Sequence, residues 1–152
     1  MMHYLLIVND CWDDMGNRIP AMKVAQHRLE QGLWSLYANT PHRKFLQAGD
    51  EVLIYLAGQS EGGKTFIAKA KVKGITTEPR LLLELYGEPP ISAIMLENVD
   101  RFQNCPKISD IKDELEFVPK GTHKWGCVMQ RGVKRIKEKD FSRIMAAARS
   151  SL

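Results

Sequence analysis

The absences in this chain narrow it first. No apolar run approaches the ~20 residues that cross a bilayer as a helix. The opening apolar stretch is shorter than a signal core and soon meets Asn9-Asp10 and Asp13-Asp14, so it reads as a strand with no membrane partner. Cysteine is scarce: Cys11, Cys105 and Cys127 lie far apart, with no Cys-x-x-Cys pair. Neither a zinc knuckle nor a disulfide framework is supported, and reduced thiols in a cytoplasmic protein are the simplest account. No repeat, low-complexity tract or linker interrupts the 152 residues, a length that suits one domain over 1–152 with a single core.

Catalytic signatures are missing too. There is no Gly-x-Ser-x-Gly and no His-Glu-x-x-His. Gly62-Gly63-Lys64-Thr65 has a Gly-Lys-Thr ending, but its hairpin setting argues against a P-loop. His3, His27, His42 and His123 are scattered, which leaves a metal without local support. The expectation is no catalytic residue, no metal and no cofactor.

What is present is a foldable composition, 44% hydrophobic and 26% charged, which excludes a disordered chain. The formal charge is +4, and it is unevenly placed. From Pro119 onward, Lys120, Lys124, Arg131, Lys134, Arg135, Lys137, Lys139, Arg143 and Arg149 face only Glu138 and Asp140. A basic end is an electrostatic footprint for nucleic acid, and equally an ordinary solvated surface.

Residues 2–8 are rich in strand formers and alternate poorly, which predicts a buried strand. Pro20 leads into a helix on which Val24, Ala25, Arg28 and Leu29 recur at helical spacing, stopped by Gly32. Thr40-Pro41 predicts a capped short turn through Phe45-Leu46. Glu51–Ala57 and Thr65–Ile75 read as strands joined by a Gly-rich hairpin, with Lys69, Lys71 and Lys73 on one face of the second. After a bounded excursion from Pro79 to Pro90, Ile91–Arg101 reads as another strand. A short helix capped by Ser109, a strand at Val133–Ile136 and a closing helix at Glu138–Ala148 with Phe141, Ile144 and Met145 on one face complete the order. This is an α+β pattern, a β-barrel with helices packed around it.

The residues in this order resemble the EVE domain, a PUA-like relative of the YTH domain. Tyr4-Leu5-Leu6-Ile7-Val8-Asn9 with nearby Trp12 is similar to the family's opening strand. Gly32-Leu33-Trp34-Ser35 looks like the Gly-x-Trp segment that carries the base-facing indole in YTH domains. Ala48-Gly49-Asp50 followed by Glu51-Val52-Leu53-Ile54-Tyr55 resembles the Gly-Asp-strand-Tyr signature. Trp125-Gly126, Met129-Gln130-Arg131-Gly132, Ile136 and Asp140-Phe141 with Ile144 are similar to the closing pattern. The resemblance covers most of the chain. It departs in the variable loop, where Leu81 to Pro90 offers only Tyr86 as a second aromatic.

The resemblance implies a PUA-like barrel that binds a modified nucleobase in DNA or RNA without altering it. A protein reads such a base by stacking an aromatic on its face and aiming polar groups at its edge. Trp34 with Tyr86 or Trp125 would supply the walls, and Asn9 and Ser35 the polar groups. Arg131 and the Lys69, Lys71, Lys73 stripe would meet the phosphates. Each residue has a plainer reading. Trp34 and Trp125 read equally as core, Asn9 as a turn cap and Arg131 as a partner of Asp140 or Glu138. The lysines read equally as guards on an edge strand, and Trp12 as packing near the barrel end. Two rival functions stay open. One is an ASCH-like amidohydrolase on a modified nucleoside, using a group such as Lys64, Thr65 and Glu51. The other is a module that binds a small metabolite. Oligomeric state is left open.

Overall fold

The computed structural model describes residues 1–38, 40, 44–58, 62–82, 89–119, 129 and 132–149. Its first strand explains why the apolar run at the start does not alternate. β1 (His3–Val8) lies between two other strands and has both faces covered, so every residue in it is buried. Tyr4, Leu6 and Val8 enter one hydrophobic cluster, while Leu5 and Ile7 enter another on the opposite face.

A small hairpin that the sequence pattern does not predict follows, β2 (Cys11–Trp12) with β3 (Arg18–Ile19). Pro20 then precedes α1 (Ala21–Gln31), whose Val24, Ala25, Arg28 and Leu29 are buried as the spacing required. Gly32 ends the helix in the left-handed conformation at φ 68°, donating to the Arg28 and Leu29 carbonyls. Leu33–Leu36, where no strand was expected, forms β4. It is short and, among the described residues, paired on one side only, so its sequence carries little strand signature. The predicted turn from Thr40-Pro41 falls partly outside the described residues. Within them, Thr40 Oγ1 accepts the Tyr37 N–H at 2.9 Å.

β5 (Glu51–Leu56), β6 (Thr65–Thr76) and β7 (Ser92–Arg101) agree with expectation to within a residue at each end. With β8 (Gly132–Ile136) they complete a six-stranded sheet in the order β4-β7-β6-β5-β1-β8. Only the β1–β5 pair is parallel. Register shifts between Ile54 and Tyr55 on β5, and between Lys69 and Lys71 and between Val72 and Gly74 on β6, sharpen the twist. The sheet curls into a half-barrel.

α1 covers one face. The other carries α2 (Ile108–Ile111), a 3-10 turn at Lys112–Glu114 and α3 (Glu138–Arg149). Ser109 is not the cap: α2 begins at buried Ile108, so Ser109 lies inside its first turn. Phe141, Ile144 and Met145 face the core as their spacing predicts. Asp140 in the first turn of α3 accepts the Glu116 and Phe117 N–H groups at 2.9 and 3.2 Å. That carboxylate ties the 112–118 segment to the helix.

Candidate nucleic-acid interface

Trp34 is the second residue of β4, two residues past the glycine that ends α1. It is 2% exposed and belongs to the α1-side core cluster. Its ring is not enclosed by hydrocarbon alone. The Arg28 guanidinium, from the last turn of α1, stands 4.8 Å from the indole centroid and is itself buried, with the residue 9% exposed. A buried arginine is unusual. Its planar cation lies over the indole, a cation–π contact inside the core. The sequence signal for this was a cation on the buried stripe of α1. Ser35, the next residue, is buried opposite Ala93 on β7.

Asn9 is exposed at the end of β1, where its side-chain oxygen accepts the Asp10 N–H at 2.8 Å. This is the turn-capping role set against a base contact. Asp10 in turn accepts the Ala21 N–H at 2.8 Å and so anchors the start of α1. Gly58 closes over this corner at φ 102°, where an added Cβ would come within 2.6 Å of the Asp10 carboxylate and 3.0 Å of Asn9 Oδ1. Only glycine fits there. Tyr86, Trp125 and Arg131 lie outside the described residues.

The lysine stripe is not on an edge. β6 sits between β5 and β7, so the edge-guard reading is corrected. Its neighbours supply acids on the same face: Glu51 opposite Lys71, and Asp100 and Glu97 opposite Lys69 and Lys71. The Lys69 ammonium is 3.3 Å from Glu51, which also approaches His3 at 3.8 Å. Lys73 is the exposed member. The basic C-terminal segment is partly neutralised as well. Lys137 and Lys139 approach Glu116 at 3.2 and 3.8 Å, and Arg143 pairs with Glu114. Lys134 stands 5.9 Å from the Phe117 ring centroid.

Two concavities stand out, and neither is lined by Trp34. One of about 600 Å³ lies among residues 116–119, Arg135, Ile136, Lys137 and Asp140. The other, of about 380 Å³, is lined by Met2, Tyr4, Phe45, Gln47, Asp50 and Arg135. Burial first, and then the Asp50 carboxylate, push the Tyr4 phenol above its ordinary pKa. Asp50 has an architectural task, accepting the Met2 and Gln47 N–H groups at 3.0 and 2.9 Å.

Two enzyme-like readings dissolve in the register. Thr65 pairs with Leu56 whereas Glu51 pairs with Lys71. The five-residue offset along β5 separates Glu51 from Thr65 by roughly 17 Å. Lys64, Thr65 and Glu51 therefore form no common group. The chain also meets the full P-loop formula, since Gly58 stands at the leading position before Gly63-Lys64-Thr65. The fold overrides the match. The loop joins two antiparallel strands, Thr65 opens β6 rather than a helix, and its hydroxyl donates to the Gly62 carbonyl at 2.6 Å. Trp12 is corrected too: it does not pack at the barrel end but is 55% exposed.

No family model matches the chain, and no curated protein matches it by sequence. Solved structures share its architecture. Human THYN1, in complex with DNA containing 5-methylcytosine, is similar over 100% of both chains, with TM-score 0.64 and 12% identity. The YTH domain of the Zygosaccharomyces rouxii MRB1 protein, in complex with N6-methyladenosine RNA, matches with TM-score 0.60 and 10% identity. That match covers 99% of this chain and 89% of the other. The N-terminal domain of Staphylothermus marinus McrB matches with TM-score 0.50 and 13% identity, covering 95% and 93%. At these identities the likeness is one of fold. The α+β fold expected from the motifs, a curled sheet with helices packed on it, is the fold these structures share with the chain.

Proposed function

We propose that this chain is a non-catalytic module that binds a modified nucleobase in DNA or RNA, with Trp34 as one wall of the base seat. The observation that carries the reading is the whole-length likeness of fold to two proteins solved with methylated nucleic acid. The Gly32-x-Trp34-Ser35 segment at the junction of α1 and β4 supports it. Stacking on an indole contributes about 1–3 kcal/mol per base whatever its identity. A buried methyl adds about 0.8 kcal/mol, close to a fourfold preference. In the free protein Arg28 holds the seat, so a base enters only as the guanidinium withdraws. Tyr86 or Trp125 forms the second wall, Ser35 and Asn9 address the base edge, and Lys71, Lys73 and Arg131 meet the phosphates. Lys69, committed to Glu51, contributes less.

The test is a titration of the purified chain with oligonucleotides carrying 5-methylcytosine, 5-hydroxymethylcytosine or N6-methyladenine, beside unmodified controls. One modification should be preferred at least about fourfold. Affinity should fall as salt rises, because phosphate contacts release counterions. Equal affinity for all strands refutes modified-base recognition. Binding of free nucleoside with no binding of strands indicates a metabolite module instead.

A further inference from the structure

We infer that the β2–β3 hairpin carries a second base contact, in which the open face of Trp12 is a stacking platform for a nucleotide flanking the one that is read. This inference rests on the nucleic-acid reading above. It comes from a feature that the fold does not need. Among the described residues Trp12 is one of the large exposed apolar side chains, at 55% exposure, yet the hairpin that carries it is anchored. A hairpin of two residues per arm has little stability of its own. Here it is tied at each level.

At its base, Asp10 accepts the Ala21 N–H at 2.8 Å and lies 3.9 Å from Arg18 Nε. On the inward face, Ile19 is buried in the α1-side core and Cys11 packs against that core. At the tip, one oxygen of Asp13 accepts the Met15 and Asn17 N–H groups at 2.9 and 2.8 Å. The other accepts the Asn17 amide at 3.3 Å. On the outward face, Trp12 pairs across the hairpin with Arg18, whose guanidinium carbon is 5.6 Å from the indole centroid. The result is a half-exposed indole with a cation beside it.

Such a surface suits a nucleobase. It presents a π-face on a hairpin whose backbone is tied down, and stacking on it is tolerant of base identity. Its place fits as well. Trp12 is three residues beyond Asn9, so the two Cα atoms are at most about 11 Å apart. The nearest acids exclude a phosphate track at this point: Asp13 and Asp14 follow Trp12 directly, and Asp10 faces Arg18. The contact is therefore with a base face, and it should release no counterions.

The experiment compares the full chain with its Trp12→Ala and Trp12→Phe variants. The probes are unmodified single-stranded octamers of dC and dT, the same octamer carrying the preferred modification, and the free modified nucleoside. Because Trp12 is exposed, all three proteins should melt alike in urea. Trp12→Ala should weaken binding of every strand by about 5- to 150-fold, leave the salt slope unchanged and leave nucleoside binding unchanged. Trp12→Phe should restore most of the loss. Strand binding that is indifferent to Trp12→Ala overturns the platform, and so does a wild-type chain that binds no strand. Trp12-dependent binding without preference for the modified octamer upholds the platform and removes the modified-base reading. Preference for the modified octamer with an indifferent Trp12→Ala does the reverse.

Discussion

Arg28→Ala separates a base seat from an ordinary core most sharply. The guanidinium sits 4.8 Å from the Trp34 centroid, and both residues are buried. A desolvated contact of this kind contributes about 0.5–2 kcal/mol. Its removal, with the packing of the aliphatic stem, should cost about 1–3 kcal/mol of stability, partly offset because a charge is no longer buried. The same contact is what an incoming base must displace. A ligand that binds only the open conformer has its affinity reduced by the fraction of molecules that are open. Removing the guanidinium lifts that penalty, so affinity for the preferred modified strand should rise by about 2- to 30-fold. Arg28→Lys, which keeps the charge but loses the planar face, should fall between. Urea melts fix the folded fraction, and fluorescence titrations at constant salt read the affinity. If folded Arg28→Ala binds the strand no better than the wild type, Arg28 does not hold the seat and its contact with Trp34 is structural only.

Two further outcomes are expected. Trp34→Ala should cost roughly 3–5 kcal/mol, a large share of the ~5–15 kcal/mol of a typical domain, because the indole is 2% exposed and its loss leaves a cavity. Trp34→Leu should melt nearer the wild type, and if it binds modified strands equally well, Trp34 is not a wall. The second outcome concerns acid. The Asn17 backbone N–H foremost holds the Asp13 carboxyl below its ordinary range, and the Lys137 ammonium foremost does so for Glu116. A depressed folded-state pKa stabilises above the unfolded value and is lost as pH falls through the folded one. The urea midpoint should therefore hold down to about pH 4.5 and fall below it, and the fall should be shallower in Glu116→Gln.

Much of the scaffold was legible because single segments carried it. The unbroken apolar run of β1 meant burial on both faces, Gly32 meant the end of α1, and the spacing of Phe141, Ile144 and Met145 meant a helix face. β4 and the β2–β3 hairpin were not legible, because two to four residues at a sheet margin carry almost no periodicity. Whatever depends on register was hidden for another reason. The acids facing Lys69 and Lys71 come from β5 and β7, and the distance between Glu51 and Thr65 follows from strand pairing. The P-loop formula fails in the same way, for a motif acts only in its strand–loop–helix context. Of the site, the sequence singled out Trp34 but not the arginine that covers it.

The motifs that carry the family resemblance in the sequence divide by what the structure asks of them. Asp50 is consumed by architecture, since its carboxylate bonds Met2 and Gln47 while its carbonyl accepts the Val72 N–H at 2.8 Å. Asp140 is consumed likewise, by the Glu116 and Phe117 N–H groups. Removing either buried carboxylate would break two hydrogen bonds to part-buried backbone N–H groups, which is sufficient reason for its presence. The two described tryptophans differ: Trp34 is packed in the core at 2% exposure, whereas Trp12 is 55% exposed. A core of Leu, Ile and Val needs no guanidinium against its indole, and hydrocarbon over Trp34 would avoid burying a charge. A hairpin that served only to join β1 to α1 would gain nothing from a half-exposed indole facing outward. Both described tryptophans stand against an arginine, one closed in the core and one open on the surface. A π-face beside a cation is the combination that binds bases in single-stranded nucleic acid. This is why the function is sought at these pairs and not at the Gly-Asp or Asp-Phe motifs.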